Sequence, residues 1–162
     1  MDLQYTPEQN QLRESVERFV RDEYDFAHRR RLVASELGHD ERHWRSYADF
    51  GWLAVPFSEE DGGIGGDAVG TRIRMEGGGR GRLVGPYLGN VVLAGGMLAA
   101  LASAAQKERW LQPMMAGRHK LALAYAEPAS RYEIDHCATT AGRDAGGWGL
   151  DGGKGLVQGG AA

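Results

Sequence analysis

LALAYAEPASRYE, residues 121–133, starts with small and large apolar residues in alternation and then breaks at Glu127-Pro128. Alternation at a period of two is the pattern of a strand, and proline ends one because it has no N–H to give to a ladder. Everything before residue 119 follows a helical period instead. The chain therefore divides near that point, and the predicted class is α+β. An all-α domain over residues 1–119 precedes the first strands of a β-barrel or sandwich-like middle domain over 120–162.

Upstream of this boundary the helices are marked by their caps. In TPEQNQLRESVERFVRDEY, Thr6 and Gln9 form a capping box and Pro7 takes the first helical position. Leu12, Val16, Phe19 and Val20 then fall on one face, with Arg13, Glu14, Glu17, Arg18 and Arg21 opposite. AHRRRLVASEL, 27–37, predicts a second short helix. DERHWRSYADFG predicts a third, capped by Asp40 and closed by Gly51. WLAVPFSEEDGGIGG, 52–66, reads as an extended loop, since Pro56 and the glycine pairs oppose helix.

From Asp67 the helical pattern weakens. Gly70 and Gly77 to Gly79 each cost about 1 kcal/mol relative to alanine in a helix interior, so a frayed turn is expected near residue 76. YLGNVVLAGGMLAALAS, 87–103, is apolar nearly all round and predicts a helix buried on most sides. Ser103 caps AAQKERWLQPMMAG, in which Trp110, Leu111 and Met114 are spaced to pack on the helix before.

Beyond residue 119, LALAYAE, HCATTAGRDAGGWGLDG and GKGLVQGG read as short strands, with GRDAGGW a hairpin signal. Three strands alone leave an unpaired edge, so the sequence reads as unfinished at Gly160-Ala161-Ala162. The 25 glycines, against an ordinary share of about 7%, mean either flexible loops or close backbone approach.

Composition excludes several functions. The 19 basic and 22 acidic residues give a net charge of -3, which argues against a nucleic-acid binder or a polybasic membrane surface. No apolar run reaches a membrane span and MDLQYTPEQ is no signal peptide, so a cytoplasmic protein is expected. Cys137, the single cysteine, reads as a half-buried filler. His39 and His43 lie at i,i+4 but lack a third ligand, so no metal site is assigned and a solvated helix start is expected. His28-Arg29-Arg30-Arg31 reads as a solvated helix face. GWGLDG, 147–152, spells a dinucleotide fingerprint but falls in a hairpin with no helix after it. GGGRGR, 77–82, lacks the aromatic platforms that bases need.

Four ordered anchors carry a resemblance: FGWLAVPFSEEDGGIGG from residue 50, QKERWL from 106, Glu127-Pro128, and Trp-x-Leu-x-Gly-x-Lys from Trp148 to Lys154. In this order and spacing they resemble the acyl-CoA dehydrogenase family over essentially the whole chain. The match corresponds to that family's N-terminal helical domain and the opening of its middle β domain. It implies an FAD-dependent enzyme that makes an α,β-enoyl-CoA from an acyl-CoA thioester and passes electrons to an electron-transfer flavoprotein. It also implies a homo- or hetero-oligomer. By position, Leu123, Tyr125 and Ala126 would line the flavin, Tyr132 would sit near flavin and thioester, and Leu156 and Gln158 would meet the ring from the next strand.

The chain departs from the family's pattern at this site. The usual threonine before Glu-Pro is Ala126, the Gly-Ser-Asp after it is Arg131-Tyr132-Glu133, and the flavin-packing tryptophan is Leu156. Each change removes a donor or a stacking surface, about 1 kcal/mol apiece. The family's base is a glutamate on a later helix, so no catalytic residue is assigned within this chain, and Glu127 is expected to be a structural carboxylate. The alternative is a non-catalytic subunit or fragment that binds a partner chain.

Overall fold

A computed structural model describes residues 4–160 of the chain. The expectations for MDLQYTPEQ and for the abrupt end at 160–162 fall partly on residues 1–3 and 161–162, outside the described residues.

Helix α1 runs Pro7–Glu23 and starts as its caps require. Thr6 Oγ1 accepts the Gln9 N–H at 3.3 Å and Gln9 Oε1 accepts the Thr6 N–H at 3.1 Å. Val16 and Phe19 are buried and Leu12 and Val20 half-buried, as the spacing predicts. Helix α2 spans Phe26–Val33, ending well before residue 37. The Ser35 hydroxyl donates to Leu32 O at 2.6 Å and accepts the Gly38 N–H at 3.2 Å, so a side-chain turn replaces the next helical turn. Helix α3, Glu41–Asp49, begins at Asp40, whose Oδ1 accepts the Arg42 N–H at 2.8 Å.

The segment after α3 is not extended as expected. It winds through consecutive turns, with Trp52 N–H bonded to Tyr47 O at 2.8 Å and Phe57 N–H to Ala54 O at 3.2 Å. The reason is burial. Trp52, Leu53, Val55 and Phe57 are all 2% exposed or less, and Phe19, Tyr47 and Trp52 pack ring against ring at 5.2–5.5 Å. Glycines then let the backbone fold onto itself, since a Cβ at Gly63 would overlap the Phe57 carbonyl and one at Gly66 the Val55 carbonyl.

Helix α4, Ala68–Arg80, is capped by Asp67 and passes through Gly77, Gly78 and Gly79 without fraying. Tertiary packing overrides propensity here. Gly77 and Gly81 face α1: a Cβ at Gly77 would lie 2.6 Å from Val16 Cγ1, and one at Gly81 2.6 Å from Val20 Cγ1. The two helices approach more closely than any side chain at these positions would allow.

Helix α5 is wide-wound over Leu88–Gly95 and α-helical over Gly96–Leu101. Burial on most sides is found over residues 89–95, where Gly89, Asn90, Val91, Ala94 and Gly95 are buried and Val92 and Leu93 half-buried. Val91 is 0% exposed, but Leu88, Met97 and Leu101 are exposed on the opposite side. Helix α6 comprises Ala104–Gln106, a wide turn Lys107–Leu111 and Gln112–Met115. Leu111 and Met114 enter the core as predicted, while Trp110 points outward beside Arg109 and His119.

After α6 the chain has no regular secondary structure over 119–127, and no strand pairs with it among the described residues, so the LALAYAE ladder is absent. GKGLVQGG is likewise unpaired. The predicted hairpin does form: β1, Thr140–Asp144, pairs antiparallel with β2, Gly147–Asp151, across a two-residue turn in which Asp144 accepts the Gly146 N–H at 2.8 Å. A helical domain followed by two antiparallel strands is the α+β arrangement read from the sequence.

Candidate functional site at the Glu127 strand end

Glu127 is buried, with its side chain only 4% exposed, and every hydrogen bond it accepts comes from the segments that follow it. Lys154 Nζ lies 2.7 Å from Oε1, Thr139 donates its hydroxyl at 2.7 Å and its N–H at 3.0 Å, and the Ala138 N–H reaches Oε2 at 2.8 Å. His136 Nε2 stands 4.0 Å away. These donors, the Lys154 ammonium first, hold the Glu127 carboxyl far below the ordinary carboxylate range. An anion so fully bonded is a poor proton acceptor, and its role is structural, as expected from the sequence. Ser130 closes the turn after Pro128, its hydroxyl donating to Glu127 O at 2.8 Å.

This clamp answers why an acid and a proline end the stretch. Pro128 turns the chain away, and Glu127 ties that exit to residues 138, 139 and 154. The four motifs therefore meet in pairs: Lys154 of the last binds Glu127 of the third, and Lys107 of the second binds Asp61 of the first at 2.9 Å. Neither pairing has a sequence signal, because the partners stand 27 and 46 residues apart.

Around the clamp the six residues singled out from the sequence are arranged as follows. Ala126 is half-buried and its carbonyl accepts the Gly155 N–H at 2.9 Å, which brings Leu156 beside the strand end. Leu123 is half-buried and Tyr125 is 46% exposed. Leu156, at φ +52, projects into solvent, and Tyr132 on the turn after Pro128 is fully exposed. Gln158 has an exposed side chain, and its backbone lies over α5, where a Cβ at Gly89 would meet Gln158 O at 2.5 Å.

Cys137 is not the half-buried filler expected. It is exposed, with Sγ 3.4 Å from Lys154 Nζ, next to Ala138 and Thr139, whose amides turn toward Glu127. The histidines also differ from expectation. His39 is buried and bonded to Glu41 rather than solvated, while His28 from α2 takes the place against His43. Ligating atoms of His28, Asp40 and His43 lie within 4.8 Å of one another, but Arg42 already grips the Asp40 carboxylate at 2.9 Å. A cavity of about 560 Å³ between α1, the turns after α3 and the start of α4 shares no residue with the clamp. No helix among the described residues is long and apolar enough to cross a membrane.

Residues 6–118 match the family of acyl-CoA dehydrogenase N-terminal domains. The chain belongs to the acyl-CoA dehydrogenase family. It is 28% identical over 153 residues to the mitochondrial long-chain specific acyl-CoA dehydrogenase of Mus musculus, covering 93% of this chain and 35% of that protein. It thus spans about a third of the length of this curated relative. Among solved structures it is similar to the ChsE4-ChsE5 complex from Mycobacterium tuberculosis, with 27% identity, a TM-score of 0.82, and 97% of this chain superposed on 42% of that one. It is also similar to PigA, solved with FAD and proline, at 25% identity, a TM-score of 0.83 and coverage of 97% and 42%.

Proposed function

We propose that this chain is the N-terminal part of an FAD-dependent acyl-CoA dehydrogenase, dividing near residue 119 into a helical domain and the start of a β domain. The observation that carries the reading is the Glu127 clamp, which fixes the end of the unpaired 121–127 segment while the backbone before it stays open. The backbone groups of residues 121–124 make no hydrogen bond among the described residues, and Tyr125 and Leu156 present exposed apolar surface beside them. Unpaired amides and carbonyls next to a flat apolar face fit the edge and plane of a flavin ring.

Bound there, FAD would supply the hydride-accepting chemistry of α,β-dehydrogenation, with electrons leaving to an electron-transfer flavoprotein. The chain's own residues position. Leu123, Tyr125 and Ala126 line one side, Leu156 and Gln158 approach from the second segment, and Tyr132 is free to cover flavin and thioester. Glu127, fully bonded, holds the edge in place and leaves the α-proton to a base outside this chain. The exposed Leu88, Met97 and Leu101 of α5 support assembly with further protein, as a homo- or hetero-oligomer.

The test is a visible absorption spectrum of the purified chain after incubation with FAD and desalting. Retained flavin absorbance that does not bleach with an acyl-CoA under anaerobic conditions is the expected result, since the base is elsewhere. A chain that stays colourless both alone and with the remainder of the fold supplied would overturn the reading and leave the non-catalytic subunit.

A further inference from the structure

Arg74 on α4 is the most anomalous group in the core. Arg74 is 4% exposed and its guanidinium faces three rings, with Cζ 4.1 Å from the Tyr87 centroid, 4.9 Å from Tyr47 and 5.5 Å from Trp52. The ring faces attract the cation but accept none of its five N–H groups in full. Among the described residues no carboxylate pairs with Arg74. Its Nε has no hydrogen-bond partner, and neither does the buried hydroxyl of Tyr47 alongside. A buried cation without an anion is costly, and proteins rarely leave one so.

Tyr47 and Arg74, which interact with each other, both belong to the lining of one cavity of about 210 Å³, with Tyr87, Leu83 and Val84 forming its apolar walls. The space is built around the guanidinium. A Cβ at Gly78 would lie 2.4 Å from Arg74 Nη1, so the guanidinium occupies space that the absence of a side chain there leaves free, and Gly79 beside it has nothing within 4 Å of where its Cβ would be. At about 30 Å³ per water the volume equals roughly seven waters, enough for a small organic acid.

We propose that this cavity binds a small organic monocarboxylate, its carboxylate on Arg74 and the Tyr47 hydroxyl and its apolar part against Leu83, Val84 and Tyr87. The guanidinium fork matches a planar carboxylate with two parallel hydrogen bonds. A phosphate dianion fits worse, since one cation and one hydroxyl cannot satisfy its charge and oxygens between apolar walls. The site shares no residue with the Glu127 strand end, so it stands or falls independently of flavin binding.

The experiment is calorimetric titration of the 162-residue chain with benzoate, with benzamide as the uncharged analogue of the same shape. Saturable benzoate binding is expected, with benzamide far weaker. Arg74→Met and Tyr47→Phe should each weaken benzoate, the former by about tenfold or more. Benzoate binding no tighter than benzamide, or unaltered in both variants, would overturn the proposal. Should Arg74→Met fail to fold, Tyr47→Phe and the NMR shift of the Arg74 Nε–H on adding benzoate decide the matter: no shift and no loss sink it.

Discussion

Replacing Gly77 and Gly79 by alanine, one at a time, separates helix propensity from packing within three residues of the same helix. Either change removes a glycine from α4 and should by itself stabilise by about 0.5–1 kcal/mol. The surroundings differ. At Gly79 the new methyl would enter open space, whereas at Gly77 it would lie 2.6 Å from Cγ1 and 3.3 Å from Cβ of Val16. Val16 is 0% exposed, and its β-branched side chain has essentially one rotamer in a helix, so it cannot swing aside. Relief must come from moving α1 off α4, an overpacking cost of about 1–3 kcal/mol. Gly79→Ala should therefore raise stability, and Gly77→Ala should fall about 1–3 kcal/mol below it, as measured by urea unfolding at constant m-value. In a Val16→Ala background the 2.6 Å clash with Cγ1 is gone and only the 3.3 Å approach to Cβ remains, so Gly77→Ala should lose most of its penalty, a coupling that a double-mutant cycle reads directly. If Gly77→Ala and Gly79→Ala agree within about 0.5 kcal/mol, helix contact is not what selects glycine at residue 77, and the reasoning fails.

Two smaller tests follow from the caps and the clamp. Thr6→Ala removes the acceptor of the Gln9 N–H and should cost about 0.5–2 kcal/mol in the same unfolding assay; no change would mean that α1 does not need its capping box. Glu127→Gln should speed hydrogen exchange at the Ala138 and Thr139 amides while leaving exchange in α1–α4 unaltered. Since the folded Glu127 pKa is depressed, its contribution is complete above the ordinary value of 4.5 and declines only as the pH falls toward the much lower folded value. Wild-type protection of these two amides should consequently persist at a pH where exposed carboxylates are half-titrated, and early loss of protection would contradict the clamp.

What could be read along the chain was whatever is decided within a turn or two. The capping box at Thr6, the caps at Asp40 and Ser103, the buried face of α1 and the tight turn of the hairpin all formed as read, because their partners lie two to four residues away. Long-range packing decided the rest. Glycines that argue for a frayed turn instead let α4 lie against Val16, and an apolar loop was drawn into turns by the burial of Trp52 and Phe57. The strand pattern of LALAYAE did not become a ladder, since a strand's hydrogen bonds belong to a neighbour, and among the described residues the 154–156 segment beside it gives its backbone only the Gly155 N–H bond to Ala126 O and the Lys154 contact with Tyr125 O. The candidate site was visible from the sequence as a set of positions, but its rigidity was not. Glu127 is fixed by Thr139 and Lys154, and Arg74 is isolated among rings contributed by three different segments, relations that exist only once the folded backbone brings distant residues within a few ångströms.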